Sequence, residues 1–127
     1  MTKQVTGAFT FDKWESAPDE TWPEVGRTHG EKTFTGEITG TSVLAATMTS
    51  VEGGPAVYVA IEKYEVEFDG LKGRFLVAHR ATKNGDVQDL SLLIVPGSGS
   101  GDLTGITGTA EITPDDDFIL TYEIAAS

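Results

Sequence analysis

Apolar and polar residues alternate with period two through most of this chain, and no apolar stripe of helical spacing breaks the rhythm. Successive side chains of an extended strand point to opposite faces, so the pattern predicts an all-β protein. Turn chemistry cuts the alternation into strands. Asp69-Gly70 and Asn84-Gly85 are two-residue hairpin signals, and Glu52-Gly53-Gly54-Pro55 and Pro114-Asp115-Asp116-Asp117 are longer turns. The expected strands are residues 3–13, 28–38, 42–50, 56–68, 71–82, 86–95, 108–113 and 117–125. Short connections make neighbours antiparallel, and eight antiparallel strands close into a single barrel, lipocalin-like in appearance. Its interior is either filled by side chains or holds one small ligand.

The 127 residues fit one domain, 1–127, able to bury a core without crosslinks. The absence of cysteine excludes disulfides, thiolate nucleophiles and Cys-based metal sites. Residues 1–7 lack the basic and apolar regions of a secretion signal, and no apolar run reaches membrane-spanning length, so a cytoplasmic location is expected. With 20 acidic against 9 basic residues, the protein repels phosphate backbones and anionic headgroups, which disfavours nucleic acid and membrane partners.

Residues 15–26 depart from the alternation, with Pro18, Pro23, Trp22 and four carboxylates, and are expected to form a long loop, either a lid or a plain connection. Asp115-Asp116-Asp117 is most simply a solvated turn, since a calcium loop needs more ligands at defined spacing.

Turns at Asp69-Gly70 and Asn84-Gly85 fix a register. The first sets Tyr64 opposite Phe75, Glu62 opposite Val77 and Ala60 opposite His79; the second sets Arg80 opposite Asp89 and His79 opposite Leu90. One face then carries Tyr58, Ala60, Glu62, Tyr64, Phe75, Val77, His79, Gln88, Leu90, Leu92 and Ile94, and is the expected interior. The other face carries the charges together with Val57, Val59, Ile61, Leu76 and Leu93. An apolar patch of that kind predicts a homo-oligomer, most simply a homodimer, with cover by the N-terminal loop as the alternative.

Glu62 and His79 are diagonal neighbours on the inner face and form the candidate catalytic pair, because a carboxylate and an imidazole in an apolar cavity tune each other for acid–base work. The alternative is a buried polar pair that satisfies itself. Tyr58, Tyr64, Phe75, Gln88, Leu90 and Leu92, with Trp14 and Trp22 flanking the acidic loop, are the candidate ligand-binding residues; each also has a purely structural reading as core, rim or anchor. His29 and Glu31 share a face, but nothing joins them to His79 and Glu62, so no metal is assigned.

The remaining motif is the run from Val95 to Gly108, in which Gly99, Gly101, Leu103, Gly105 and Gly108 follow the spacing Gly-x-Gly-x-Leu-x-Gly-x-x-Gly. It lacks the Lys-Ser or Lys-Thr of a nucleoside triphosphate loop and no helix follows, so it reads as backbone crossing one end of the barrel. The spacing resembles a signature of allene oxide cyclases and dirigent proteins. The whole chain resembles more closely a bacterial family known as a domain of unknown function, numbered three-two-two-four, through Phe9-Thr10-Phe11-Asp12-Lys13-Trp14, Lys32-Thr33-Phe34-Thr35-Gly36, Asp69-Gly70-Leu71-Lys72-Gly73-Arg74-Phe75 and the glycine run. The resemblance implies an allene-oxide-cyclase-like barrel that binds a small hydrophobic molecule, with no cofactor, and that either cyclises or isomerises it or only carries it. A third reading is a structural oligomerising barrel with a filled core.

Overall fold

The computed structural model describes residues 2–85 and 87–125. Nine strands appear in it: β1 (Lys3–Pro18), β2 (Val25–Gly36), β3 (Ile38–Ser50), β4 (Ala56–Phe68), β5 (Leu71–Asn84), β6 (Val87–Ile94), β7 (Ser100–Gly101), β8 (Ile106–Ile112) and β9 (Asp117–Ile124). Antiparallel ladders run from β1 through β6 in chain order, then β6–β8, β8–β9 and β9–β1. The β9–β1 ladder closes the sheet on itself, giving an eight-stranded antiparallel barrel without helices among the described residues. The closing ladder takes in Lys3–Ala8 of β1, so Phe9–Pro18 extends past β9 with no strand on that side among the described residues. The two-residue β7 lies outside the ring, against Gly73 and Arg74 of β5.

The Asp69-Gly70 hairpin forms as its sequence predicts. Both residues take positive φ, 52° and 75°, and Tyr64 pairs with Phe75, Glu62 with Val77 and Ala60 with His79. The next hairpin differs by two residues. Asn84 pairs with Val87 and so belongs to the ladder, which places Arg80 opposite Ser91, Thr82 opposite Asp89 and His79 opposite Leu92. The expected Arg80–Asp89 apposition is therefore absent. A shift of two preserves which face each side chain occupies, so the inner set survives the error. The expected start of β6 at Asp86 lies outside the described residues.

The loop expected at residues 15–26 is mostly strand. β1 and β2 stay paired from Trp14↔Gly30 to Pro18↔Gly26, and only residues 19–24 turn. Proline is tolerated there because Pro18 ends its strand and Pro23 lies in the turn. Along β1 the register moves by one between Phe11 and Lys13, leaving Asp12 as an extra, bulged residue. The bulge inverts the parity of the strand. Phe9 and Phe11 point inward before it, and Trp14, opposite inward-facing Gly30, points inward after it.

The lower half of the barrel is solid. Tyr64 stacks on Phe75 at 5.0 Å, and Phe34 packs edge-on to Phe118 at 5.1 Å, around Val66, Val77, Ile94, Leu120 and Tyr122. The glycine run closes this end: Leu103 and Ile106 are fully buried beneath it. A Cβ on Gly73 would stand 2.1 Å from the Ser100 carbonyl oxygen, so only glycine lets the crossing chain lie this close to β5. Outside, Val59 and Ile61 on β4, Val43 on adjacent β3 and Leu93 on β6, beyond Ala78 of β5, are about half exposed. No helix in the described residues is long and apolar enough to cross a membrane.

Candidate functional site

Above the solid core lies a layer of buried polar side chains: Lys32 from β2, Ser42 from β3, Glu62 from β4 and His79 from β5. All four point inward because their strands keep alternating through them. Lys32 follows the parity of Phe34, and Ser42 follows that of Leu44. The Glu62 carboxylate is the hub. Its Oε2 accepts a hydrogen bond from Ser42 Oγ at 2.6 Å and lies 3.2 Å from Lys32 Nζ, while Oε1 stands 3.7 Å from His79 Nδ1. The last distance is too long for a hydrogen bond. Glu62 Oε1, His79 Nδ1 and the Tyr64 hydroxyl are buried without a hydrogen-bond partner among the described residues.

Burial alone would push the Glu62 carboxyl up, but His79, the Lys32 ammonium and the Ser42 hydroxyl outweigh it and hold the carboxyl below its usual range. Glu62 is thus a carboxylate and Lys32 its counter-ion. The phenols of Tyr58 and Tyr64 are pushed up by burial and then by the Glu62 charge, so both remain protonated. Lys32 Nζ also sits 4.6 Å from the centroid of Phe9 and 5.4 Å from that of Phe11, where the ring faces offset part of its lost hydration.

On this layer rests a cavity of about 650 Å³, open at the end opposite the glycine run. Its walls are Phe9, Phe11, Trp14, Leu44, Tyr58, Leu90 and Ile112, its deep polar groups are Lys32 and His79, and Ala81, Gln88, Thr113, Pro114 and Asp116 complete the lining. A Cβ on Gly30 would lie 3.1 Å from both Trp14 and Leu44, so the missing side chain is what lets the indole and the leucine close in over β2. Tyr58 packs edge-on to His79 at 4.9 Å, fixing the imidazole from the side away from the core.

Of the candidate residues, Tyr58, His79, Gln88, Leu90 and Trp14 line the cavity. Glu62 is fully buried just behind His79 and Lys32. Tyr64, Phe75 and Leu92 belong to the solid core below it, deeper along their strands than the cavity-lining Tyr58, His79 and Leu90. Trp22 is 63% exposed in the β1–β2 turn and does not reach the site, whereas its partner in the expectation, Trp14, does. His29 faces outward, hydrogen-bonded to Glu31 at 3.1 Å, and contributes to a separate shallow groove with Glu15 and Arg27. Lys32, Ser42, Phe9 and Phe11 escape a reading of the sequence. A lysine in an alternating strand normally signals the wet face, and only the shared parity with Phe34 indicates otherwise.

Fold and site together define a class: a closed antiparallel barrel, sealed at one end and hollow at the other, with an ion pair at the floor of the hollow. Residues 5–125 match the family described as Protein of unknown function (DUF3224), and the chain belongs to that family. It is similar over its full length to the crystal structure of a protein with unknown function from the DUF3224 family of Shewanella oneidensis MR-1, at 30% sequence identity with both chains covered to 100% and a TM-score of 0.85. No curated protein matches the chain.

Proposed function

We propose that the barrel binds a small, mainly apolar molecule in the open-end cavity. One observation carries this reading: a hollow of about 650 Å³, walled by aromatic and aliphatic side chains, ends on a few convergent polar groups. That is the usual make-up of a small-molecule site, both in volume and in the ratio of apolar wall to polar anchor. A barrel meant only as a scaffold gains nothing from leaving one end of its interior unfilled, since each missing contact costs packing energy. Native mass spectrometry of protein purified from its own host tests the reading. A copurified small molecule that is lost when Leu44 and Leu90 are both replaced by Trp supports it. Protein of bare chain mass that also leaves Trp14 emission unchanged across a panel of apolar compounds, in a Trp22→Phe background, would refute it.

A second reading, cofactor-free isomerisation or cyclisation, is favoured by the unpartnered pair Glu62 Oε1 and His79 Nδ1. When the imidazole takes a proton from a bound ligand, the new cation is met by the carboxylate behind it; the proton then returns to another atom of the same ligand. The likeness of the glycine run to that of allene oxide cyclases and dirigent proteins supports such steering of an apolar substrate. His79→Gln should abolish turnover while leaving ligand affinity within a few fold; equal turnover would leave carriage as the function.

The same proposal includes self-association through the outer face of Val43, Val59, Ile61 and Leu93, since exposed apolar patches on barrels tend to be contact surfaces. Sedimentation of wild type against Ile61→Lys decides it: a mass that drops to one chain in the variant supports a homo-oligomer, and a single-chain mass in both excludes one.

A further inference from the structure

The polar groups at the deep end of the cavity are unequal in what they show a ligand. Lys32 lines the cavity, and so does His79, whereas Glu62 stands behind both, fully buried and absent from the lining. Among the described residues Lys32 Nζ has one acceptor, Glu62 Oε2 at 3.2 Å, and an ammonium carries three hydrogens. Its other neighbours are the faces of Phe9 and Phe11, which attract the charge but accept no conventional hydrogen bond. A lysine 2% exposed thus has donor capacity left over, beside His79 at the bottom of a chamber walled mainly by apolar side chains.

The charge balance says what kind of oxygen can use that capacity. Lys32 and Glu62 are a contact pair and cancel each other. A ligand carboxylate would be a second anion around a single ammonium, a few ångströms from Glu62 and in a poorly solvated place. Asp116 at the rim and the formal charge of −11 on the chain oppose an anion further. An uncharged oxygen suffers none of this and still accepts a charge-assisted hydrogen bond.

The geometry points to an uncharged apolar ligand anchored by an acceptor oxygen, a ketone or alcohol oxygen, on Lys32 Nζ, with its hydrocarbon body against Phe9, Phe11, Trp14 and Leu90. This rests on the binding reading above and names the chemistry of its ligand. It also gives a buried lysine a use that a leucine could not supply: the anchor is a donor, and Glu62 supplies the counter-charge that lets the donor be buried.

The test uses one carbon skeleton with four ends: cyclododecanone, cyclododecanol, cyclododecane and cyclododecanecarboxylate, each displacing the neutral dye N-phenylnaphthylamine from the full-length protein. The ketone and alcohol are expected to bind about tenfold or more tighter than the hydrocarbon, and the carboxylate no tighter than the hydrocarbon. The double variant Lys32→Met/Glu62→Gln, which removes donor and counter-charge together, should bind all three neutral compounds alike. If that variant does not fold, the infrared carbonyl band of bound cyclododecanone decides: it shifts to lower frequency in the wild type relative to the ketone in hydrocarbon solvent. Equal binding of ketone and hydrocarbon, tightest binding of the carboxylate, or an unshifted carbonyl band overturns the inference while leaving an apolar site in place. If neither the dye nor any of the four compounds binds, the binding reading falls and takes the inference with it.

Discussion

Lys32 and Glu62 face each other across the barrel interior at 3.2 Å, with side chains only 2% and 0% exposed. They come from strands that are not neighbours, since β3 lies between β2 and β4. The pair therefore ties the wall together across its lumen as well as forming the floor of the cavity.

Breaking that pair leaves a charge without a partner away from water. Lys32→Met is expected to lower the unfolding free energy by about 3–5 kcal/mol, and Lys32→Met/Glu62→Met to recover most of the loss. Urea unfolding of the three proteins measures both. Recovery by the double variant separates loss of the ion pair from loss of packing.

Acid should weaken the wild type through the same carboxylate. The folded Glu62 carboxyl lies below its unfolded value of about 4.3, so its stabilisation is present above that pH and is lost as pH falls through the folded pKa. Glu62→Gln should be less stable at neutral pH and should show a flatter decline below about pH 4. A set of urea midpoints against pH, wild type beside variant, shows the difference in slope.

All three tyrosines are held protonated beyond their ordinary range. Tyr58 and Tyr64 are pushed up by burial and by Glu62, and Tyr122 is pushed up to about 12 by burial and by its hydrogen bond to Asp69. For a phenol whose folded pKa is raised, stability is full below the unfolded value of about 10 and falls as pH rises from there through the folded value. The native protein should therefore show almost no tyrosinate absorbance at pH 10.5, and about three-quarters of the full signal on addition of denaturant at that pH. Tyr122→Phe should remove part of the stability loss between about pH 10 and 12.

Gly73→Ala is expected to cost about 1–3 kcal/mol or more, because its Cβ collides with the Ser100 carbonyl and lifts the crossing chain from β5. Gly26→Ala, where a Cβ meets nothing closer than 3.8 Å, is the control and should change little. Hydrogen exchange at Leu103 and Ile106, whose amides bond to the Ser100 and Leu103 carbonyls, reports whether the sealed end has loosened.

Deleting Asp12 removes the bulge and restores unbroken alternation along β1. Trp14, two positions from Phe11 in the shortened strand and still opposite Gly30, should stay inward, so its emission and the binding of dyes that occupy the cavity should change little. Crystal or NMR comparison is unnecessary if the Trp22→Phe background isolates the Trp14 signal.

How much of this was legible in the sequence depends on whether local signals were enough. Asp69-Gly70 forces a two-residue turn, so every pairing in that hairpin followed, down to Ala60 opposite His79. At Asn84-Gly85 the same dipeptide misled, because Asn84 can be a ladder residue as readily as a turn residue, and the charges of Arg80 and Asp89 lent false support. The parity argument still placed Glu62 and His79 inside, since an error of two leaves faces unchanged. Lys32 was invisible for the opposite reason: its inward direction is set by pairing with β1 and β3, and its counter-charge comes from a glutamate 30 residues away, neither of which a local pattern encodes. Trp14 and Trp22 looked equivalent in sequence, and a bulge of one residue separates their fates.

The glycine run that shuts one mouth of the barrel turns the lumen into a blind vessel. On the proposed binding reading, an occupant would have to leave by the opening through which it came, past Trp14, Gln88 and Asp116. Linear polymers could not thread through, a second molecule would wait until the first had departed, and exchange would be governed by the rim rather than by the floor.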